Sequence, residues 1–272
     1  MEQKKLINNI LLGSDPELFL FSEELNKPIP VCGLVGGSKE EPLPITDEGH
    51  AVQEDGCALE FCIPPCKTKD EWMSNINFVK DHITKEILAP KGLVPKYIAS
   101  IEFDVDDLVD PRATYFGCTP SYNAWNGERM TVDMGNPLLR TTGFHVHFGY
   151  DNHNVETSMK IIQACDLFLG VQSVLLDTDT ARRAMYGKAG DSRIKPKYGI
   201  EYRALSGYFL SSDKLIGWVY DGAMKAVEFV NNGGIITNPQ DIQDCINNCN
   251  KELALEILDD YNIKVLELET IN

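Results

Sequence analysis

The sequence predicts an α+β fold, and three features of its 272 residues support this class. Short runs rich in Leu, Phe and Val, bounded by Gly and Pro, are typical of strands. Longer stretches begin with helix caps, such as the capping box of Thr68 and Glu71. Strands come first and then lie between helices without a strict β-α-β rhythm, which favours α+β over a doubly wound parallel sheet. No repeat or linker divides the chain, so we predict one domain over 1–272 with a helical C-terminal part from about 212 to 272.

In the first half of the chain we predict three strands and one helix. The first strand covers 17–21, which is rich in Leu and Phe. The stretch HAVQEDGCALEFCIPP (50–65) is typical of a turn followed by a strand, which its two final prolines end. A helix follows over about 68–88, and YIASIEFDVDD (97–107) is the third strand candidate.

In the second half, residues 111–139 are predicted to be loops, followed by two strands and three helical regions. Asn154 caps the first of these helices, and Gly233 and Gly234 end the second. In chain order the predicted elements are the strand RTTGFHVHFGY (140–150), a helix over about 156–179, the strand YGIEYRALSGYF (198–209), a helix from Ser211 and Ser212, and a helical region from Asn238 and Pro239 to about 260.

The formal charge of −16 limits the classes of partner. Nucleic-acid binding needs clustered Lys and Arg, and the chain has no run of them, so we expect no nucleic-acid partner. No stretch approaches the roughly 20 apolar residues of a membrane span, and the N-terminus lacks a secretory pattern. We therefore expect a cytoplasmic protein without a membrane partner. Its eight cysteines should be reduced thiols, and their spacing does not fit a common zinc site.

Two of the five histidines lie two residues apart in GFHVHFG (143–149). Side chains at i and i+2 of a strand share a face, so both imidazoles point the same way. Other strand candidates carry comparable polar groups: Asp15 and Glu17; Glu54, Asp55 and Glu60; Glu201 and Arg203. Each group alone is consistent with a solvated strand face. The four groups together favour a shared polar surface if these strands are neighbours.

Carboxylates on such a surface would repel one another and raise one another's pKa. A divalent cation relieves this repulsion, and an oxygen-rich site with an imidazole suits Mg²⁺ or Mn²⁺. The sequence therefore predicts a metal site where these strands meet.

The motifs GSDPELFLF, GFHVHFG and IEYR, in this order, resemble strand motifs of the glutamine synthetase and glutamate–cysteine ligase superfamily. More closely, the chain resembles the phage phiEco32-like COOH–NH2 ligase type 2 family of amidoligases. The resemblance implies a curved, mainly antiparallel sheet of the glutamine synthetase-like catalytic type. It covers most of residues 13–210 through the segments GSDPE (13–17), GGSKEEPLP (36–44), QEDGCALEF (53–61), FGCTPSYNAW (116–125), GFHVHFG (143–149) and RRAMYGKAGDSRIKPKYGIEYRALS (182–206).

The resemblance also implies roles for individual residues. The implied metal ligands are Asp15, Glu17, Asp55, Glu60, His145 and Glu201. Asp15 and Glu17 are implied to belong to two different metal sites. The implied phosphate-binding residues are Arg182, Arg183, Arg193 and Arg203, with Lys39 in a glycine-rich loop nearby. His147 is implied to contact substrate or phosphate, and it joins Arg193 and Arg203 as a candidate catalytic residue. The alternative for residues 182–197 is a solvated basic loop.

These features predict an ATP-dependent carboxylate–amine ligase that forms an amide or isopeptide bond. ATP with Mg²⁺ or Mn²⁺ would convert a carboxylate into an acyl phosphate, and arginines would neutralise the transferring phosphoryl group. The substrates would be a carboxylate and an amine, such as an amino acid or a peptide, and the oligomeric state is open. Two alternatives remain: a phosphotransferase resembling the guanidino kinases, and a non-catalytic protein that binds nucleotide or metal.

The loop FGCTPSYNAWNGE (116–128) is a candidate substrate pocket, because Tyr122, Asn123 and Trp125 could stack on a substrate and hydrogen-bond to it. An ordinary surface loop is an equal alternative. We do not expect Cys118 to be a nucleophile, since a route through metal and ATP needs no thiol. If the chain is phage-encoded, as the resemblance implies, its expected location is the host cytoplasm.

Overall fold

The computed structural model describes residues 6–114, 120–132 and 135–268. The strands in these ranges are β1 Leu11–Ser22, β2 Lys27–Ile29, β3 Leu43–Pro44, β4 Ala51–Asp55, β5 Ala58–Cys66, β6 Leu93–Lys96, β7 Ser100–Glu102, β8 Tyr122–Asn123, β9 Leu139–Thr141, β10 Phe144–Gly149, β11 Asp191–Lys195 and β12 Gly199–Tyr202. The α-helices are α1 Lys69–His82, α2 Pro111–Thr114, α3 Val155–Cys165, α4 Val171–Leu176, α5 Ala181–Met185, α6 Asp213–Asn231, α7 Pro239–Asn247 and α8 Lys251–Asp260.

Ten of the strands form one antiparallel sheet. Its main order is β3-β4-β5-β1-β10-β12-β11-β8, and β2 and β6 also pair with β1. The long strand β1 lies near the centre, with β5 on one side and β10 on the other. The predicted α+β class with a large, mainly antiparallel sheet is therefore confirmed.

One face of this sheet is apolar because alternate strand residues are large and hydrophobic. On β1 and β10 these residues include Leu12, Leu18, Phe144 and Val146, all buried. The helices α1 and α3 pack on this side, and the Trp72 ring of α1 stacks on Phe144 at 6.0 Å between centroids. The core thus occupies one face of the sheet, and the alternate polar residues are left to the other face.

The prediction that Pro64 and Pro65 end a strand was wrong, because β5 runs through both to Cys66. The register between β1 and β5 shifts between Leu12 and Ser14, opposite these prolines. Such a β-bulge tolerates proline because its extra residue need not donate to the ladder.

Other boundaries also differ from the predictions. Strand β1 begins at Leu11, well before the predicted residue 17, and only Ser100–Glu102 of the predicted strand 97–107 is a strand. Strands β6 and β11 were not predicted. The capping box of α1 is present, since Glu71 N donates to Thr68 Oγ1 and Thr68 N donates to Glu71 Oε2, both at 3.2 Å.

The helical stretch Val155–Leu176 joins α3 and α4 through a π-helical turn, Asp166–Gly170. By length and composition alone it is apolar enough to cross a membrane, with a mean hydropathy of 1.4, whereas the sequence analysis expected no such stretch. However, 72% of its most apolar window is buried within the protein, as in the core helix of a soluble protein.

The C-terminal helices extend the core. Helix α6 packs against α1 and α3, while α7 and α8 pack against α4 and the π-helical turn around a smaller apolar cluster. Helical structure in this region ends at Asp260, and 263–268 follow without regular secondary structure. The organisation of 1–272 as a single domain stays a prediction.

Candidate active site

The strand register places polar side chains next to one another on the face opposite the helices. Asp15 of β1 pairs with His145 of β10, and His147 of β10 pairs with Glu201 of β12. Glu201 pairs in turn with Arg193 of β11. Because all strands in this row are antiparallel and in simple register, residues far apart in sequence become lateral neighbours.

A first acidic group consists of Asp15, His147 and Glu201, whose ligand atoms all lie within 4.8 Å of one another. His147 Nε2 is 3.1 Å from Asp15 Oδ1 and 4.0 Å from Glu201 Oε2. His147 Nε2 and Glu201 Oε2 are both buried and make no aligned hydrogen bond among the described residues, although Glu201 Oε2 forms an ion pair with Lys195 Nζ at 2.6 Å. The other ring nitrogen, His147 Nδ1, is 2.9 Å from the Tyr198 hydroxyl, which orients the ring. A buried imidazole nitrogen close to two carboxylates and without an aligned hydrogen bond, as His147 Nε2 is, is suited to bind a metal ion.

His145 lies beside this group but is held differently. Its Nδ1 shares a 3.1 Å hydrogen bond with Asp15 and lies 3.6 Å from Glu201 Oε1. A Cβ at Gly143 would collide with His145 Nε2, so the ring packs tightly against that glycine. Burial and the positive charge of Arg203 lower the pKa of His145 to about 4, and the ring is neutral at pH 7. The side-chain geometry thus favours His147 over His145 as the ligand of this group, the reverse of the roles implied by the resemblance.

A second acidic group lies on the other side of β1 and consists of Glu17, Asp55 and Glu60, again within 4.8 Å. Glu17 pairs with Glu60 of β5, and Asp55 stands at the turn between β4 and β5. Burial and the charge of Asp55 raise the pKa of Glu17 to about 7. Burial and three neighbouring carboxylates raise the pKa of Glu60 well above its usual value.

Two contacts orient the second group. Gly143 N donates to Glu17 Oε2 at 2.6 Å, and Gln53 Nε2 donates to Glu60 Oε2 at 2.8 Å. Asp15 and Glu17, two residues apart on one strand, therefore serve two different groups, as the resemblance implied for two metal sites. One group offers carboxylate oxygens alone and the other two carboxylates with an imidazole, and both sets suit Mg²⁺ or Mn²⁺.

Cationic side chains surround Glu201. Arg203 forms an ion pair with it, Lys195 Nζ lies 2.6 Å from its Oε2, and Arg193 Nη1 lies 3.6 Å from the same oxygen. Burial acts to raise the pKa of Glu201, but the charge of Arg203 prevails and lowers it to about 2. Glu201 is therefore ionised at every pH at which the protein would be studied.

The guanidinium groups of Arg182 and Arg183, implied to bind phosphate, donate to groups of the protein itself, although Arg182 also lines the pocket. The guanidinium of Arg182 donates to the carbonyl oxygens of Thr142, Arg203 and Ala204. The guanidinium of Arg183 donates to Gly187 O and Ser173 Oγ, and this side chain does not line the pocket. Both are buried, and their donors are hydrogen-bonded to backbone carbonyl groups and to one hydroxyl, which holds the surrounding loops in place. The alternative of a solvated basic loop is also wrong for this segment.

A pocket opens over the polar face. It is lined by Asp15, Glu17, Phe19, Lys39, Asp55, Gly56, Cys57, Ala58, Glu60, Arg140, Thr141, Gly143, His145, Arg182, Tyr186, Asp191, Arg193 and Arg203. Lys39 is among the residues that line it, and its expected contact with phosphate stays a prediction.

The loop residues Tyr122, Asn123 and Trp125 do not line this pocket. Trp125 Nε1 donates to Asp166 Oδ2 at 2.7 Å, and Asn123 Oδ1 accepts from Trp125 N, so both hold the loop against the helical stretch. Cys118 and the rest of 115–119 lie outside the described residues.

Sequence reasoning missed four polar residues in this region: Arg140, Tyr186, Asp191 and Lys195. A signal existed for two of them. Asp191 and Lys195 flank Arg193 at i−2 and i+2 in DSRIK, which is β11. Had that segment been predicted as a strand, the period of two would have placed all three on the polar face.

A family model matches residues 136–224, which contain β10, β11, β12 and both histidines. The matched part, about a third of the chain, is similar to a family of carboxylate–amine ligases. The particular family is described as Phage phiEco32-like COOH.NH2 ligase-type 2, so the resemblance noted from the sequence is confirmed.

Among solved structures, the chain is similar to the crystal structure of a bifunctional glutathione synthetase from Pasteurella multocida, with a TM-score of 0.42 and 10% sequence identity. The match covers 93% of this chain and 49% of that one, so the chain spans about half the length of that protein. A search of curated protein sequences found no match.

Proposed function

We propose that this protein uses ATP to join a carboxylate to an amine through an acyl phosphate, forming an amide or isopeptide bond. The observation that carries the proposal is the pair of acidic groups on one sheet face, with Arg193 and Arg203 beside them in the same pocket. A carboxylate lacks a good leaving group for attack by an amine, and phosphorylation supplies one.

Divalent cations held by the two acidic groups would neutralise the ATP phosphates and the charge that develops during phosphoryl transfer. In this proposal Glu17, Asp55 and Glu60 form one ligand set, and Asp15, His147 and Glu201 form the other. The fit rests on the buried His147 Nε2, which makes no aligned hydrogen bond among the described residues, and on the raised carboxyl pKa values in the second group.

Arg203 and Arg193 are placed to contact phosphate oxygens, because both lie over the floor of the pocket next to Glu201. A planar guanidinium suits bidentate contact with phosphate. Lys39 also lines the pocket and is a third candidate cation for the phosphates.

The test is a screen of ATP consumption with Mg²⁺ or Mn²⁺ and pooled carboxylates and amines. Mass spectrometry should find a product lighter by one water than the sum of the two substrates. Glu60→Gln should abolish turnover, while Glu256→Gln, on the exposed side of α8, should retain it. ADP formation with phosphorylated carboxylate or amine as the final product would instead support a phosphotransferase.

A further inference from the structure

One acidic side chain of the pocket belongs to neither acidic group. Of the described carboxylates that line the pocket, Asp15, Glu17, Asp55 and Glu60 are members of the two groups, and Asp191 is the exception. Asp191 is the first residue of β11, and its position two residues before Arg193 turns it towards the same face.

The carboxylate of Asp191 is buried, and only one of its oxygens accepts a hydrogen bond among the described residues, while the other forms a long ion pair with Arg203. Oδ2 accepts a long hydrogen bond of 3.3 Å from Gly187 N. Oδ1 is buried without a hydrogen-bond partner among the described residues. The Nε atom of Arg203 lies 3.8 Å away, too far for a hydrogen bond. A buried oxygen at the wall of a pocket that accepts no hydrogen bond from the protein is suited to accept one from a ligand.

The proposed reaction needs such an acceptor. At neutral pH an aliphatic amine is an ammonium ion, and it must lose a proton before its nitrogen can attack. The carboxylates of the two acidic groups are assigned to metal cations, so they are not available to accept this proton.

We propose that Asp191 binds the ammonium group of the amine substrate and accepts its proton, an inference that rests on the proposed ligase function. The proton moves from nitrogen to Asp191 Oδ1, and the neutral amine attacks the carbonyl carbon of the acyl phosphate. The C–N bond forms, the bond from carbon to the phosphate oxygen breaks, and phosphate leaves with the electron pair. The second proton of the nitrogen passes to solvent or to the departing phosphate. Asp191 returns its proton to solvent.

If Asp191 had only a structural role, its substitution would impair a different step of the reaction. The charge of Asp191 also acts on Arg182 and Arg203, so it could simply hold these arginines in place. Loss of that function would impair phosphoryl transfer, the step that precedes attack. The two roles are therefore separable by a nucleophile that needs no deprotonation.

Hydroxylamine is such a probe, because it is largely uncharged at neutral pH. Wild-type protein, Asp191→Asn and the control Asp260→Asn, at the exposed end of α8, are compared with ATP, Mg²⁺ and pooled carboxylates. Hydroxamate formed from hydroxylamine is measured beside amide formed from the active amine. Asparagine can still accept from Gly187 N, so the variant should fold.

We expect Asp191→Asn to lower amide formation by about 10²-fold or more, the usual contribution of a general base. Hydroxamate formation should stay near the wild-type rate, and the amide rate of the variant should rise with pH as more amine loses its proton. Equal losses with both nucleophiles, or failure of both Asp191→Asn and Asp191→Ser to fold, would overturn the proposal and make Asp191 a counter-ion of the arginines. Absence of hydroxamate from wild-type protein would overturn the ligase function itself, and this inference with it.

Discussion

The carboxyl groups of Glu17 and Glu60 hold protons at a pH at which exposed carboxylates are ionised. Burial and the nearby charge of Asp55 raise the pKa of Glu17 to about 7. Since this pKa is raised in the folded state, the contribution of Glu17 to stability is present below its usual pKa of about 4.5 and is lost as pH rises to about 7. A bound cation reverses this trend because it requires the ionised form.

We therefore predict that Mn²⁺ stabilises the protein more at about pH 8 than at about pH 6, on either side of the Glu17 pKa. The measurement is the shift in melting temperature on addition of MnCl2. Asp55→Asn, which removes a ligand and a repelling charge, should reduce both the shift and its dependence on pH. Equal shifts at the two pH values in the wild type would contradict the prediction.

The two histidines should differ in their effect on metal affinity. His147 Nε2 is close to both carboxylates of its group without a hydrogen bond, whereas His145 Nδ1 is already bonded to Asp15. We predict that His147→Ala weakens Mn²⁺ binding by about 10-fold or more and that His145→Ala weakens it less, by altering the orientation of Asp15. Titration calorimetry in the presence of a non-hydrolysable ATP analogue compares them. A larger loss of Mn²⁺ affinity in His145→Ala than in His147→Ala would contradict this prediction and support the roles implied by the resemblance.

At the scale of elements, one side chain organises the glycine-rich loop that carries Lys39. The carboxylate of Glu54 accepts hydrogen bonds from the backbone N–H groups of Gly33, Val35 and Gly36 at 2.7–2.9 Å. Burial acts to raise the pKa of Glu54, but these bonds and the charge of Arg112 prevail and lower it. The loop is thus held to β4 by a charged acceptor, in addition to the packing of Leu34 and Val35 against the core.

Glu54→Gln should loosen this loop, because a neutral amide has one acceptor oxygen in place of two. We expect faster backbone hydrogen exchange at residues 33–36, with the sheet itself unaffected, as measured by mass spectrometry. Arg112→Gln is the matched control. It removes the 3.0 Å ion pair to Glu54 but leaves the hydrogen bonds from the backbone N–H groups. Ion pairs with an exposed partner such as Arg112 contribute little to stability, so we expect little change in exchange. Similar exchange in both variants would mean that the ion pair, not the backbone bonds, holds the loop.

At the scale of the whole molecule, Asp166 joins the helical side to the sheet. It lies in the π-helical turn, and its carboxylate accepts from Trp125 Nε1, Gly190 N and the Tyr202 hydroxyl at 2.6–3.0 Å. Burial raises its pKa to about 7 despite these donors. The contribution of Asp166 to stability is therefore present below its usual pKa near 3.8 and is lost as pH rises through about 7.

Asp166→Asn should remove this dependence. The amide oxygen can accept from Trp125 and Gly190, and the amide nitrogen can donate to the Tyr202 hydroxyl oxygen, so the network is retained without a titrating group. We expect the free energy of unfolding, measured with urea between about pH 4 and about pH 7, to vary less in the variant than in the wild type. An unchanged pH profile would show that Asp166 does not titrate in this range.

The short-range features were predictable from the sequence because local chemistry decides them. The capping box of Thr68 and Glu71, the helix start at Asn154 and the shared face of His145 and His147 follow from side-chain reach and from the period of two in a strand. The α+β class followed from the order of these elements. The prediction failed where the local signal was ambiguous, as in DSRIK, whose charged residues are also typical of a loop.

Only the tertiary structure decided which polar residues meet. Packing of the apolar face on the helices sets the strand register and the strand order. As a result, Asp15 and Glu17 belong to different acidic groups, and each meets partners more than 30 residues away in the chain. The same packing directs Arg182 and Arg183 to backbone carbonyls and leaves Asp191 Oδ1 without a hydrogen bond among the described residues. The sequence by itself determined the types of ligand and the strand faces, because these depend on residues two to four positions apart. The grouping of those ligands required the folded sheet, because it depends on long-range pairing that no local pattern encodes.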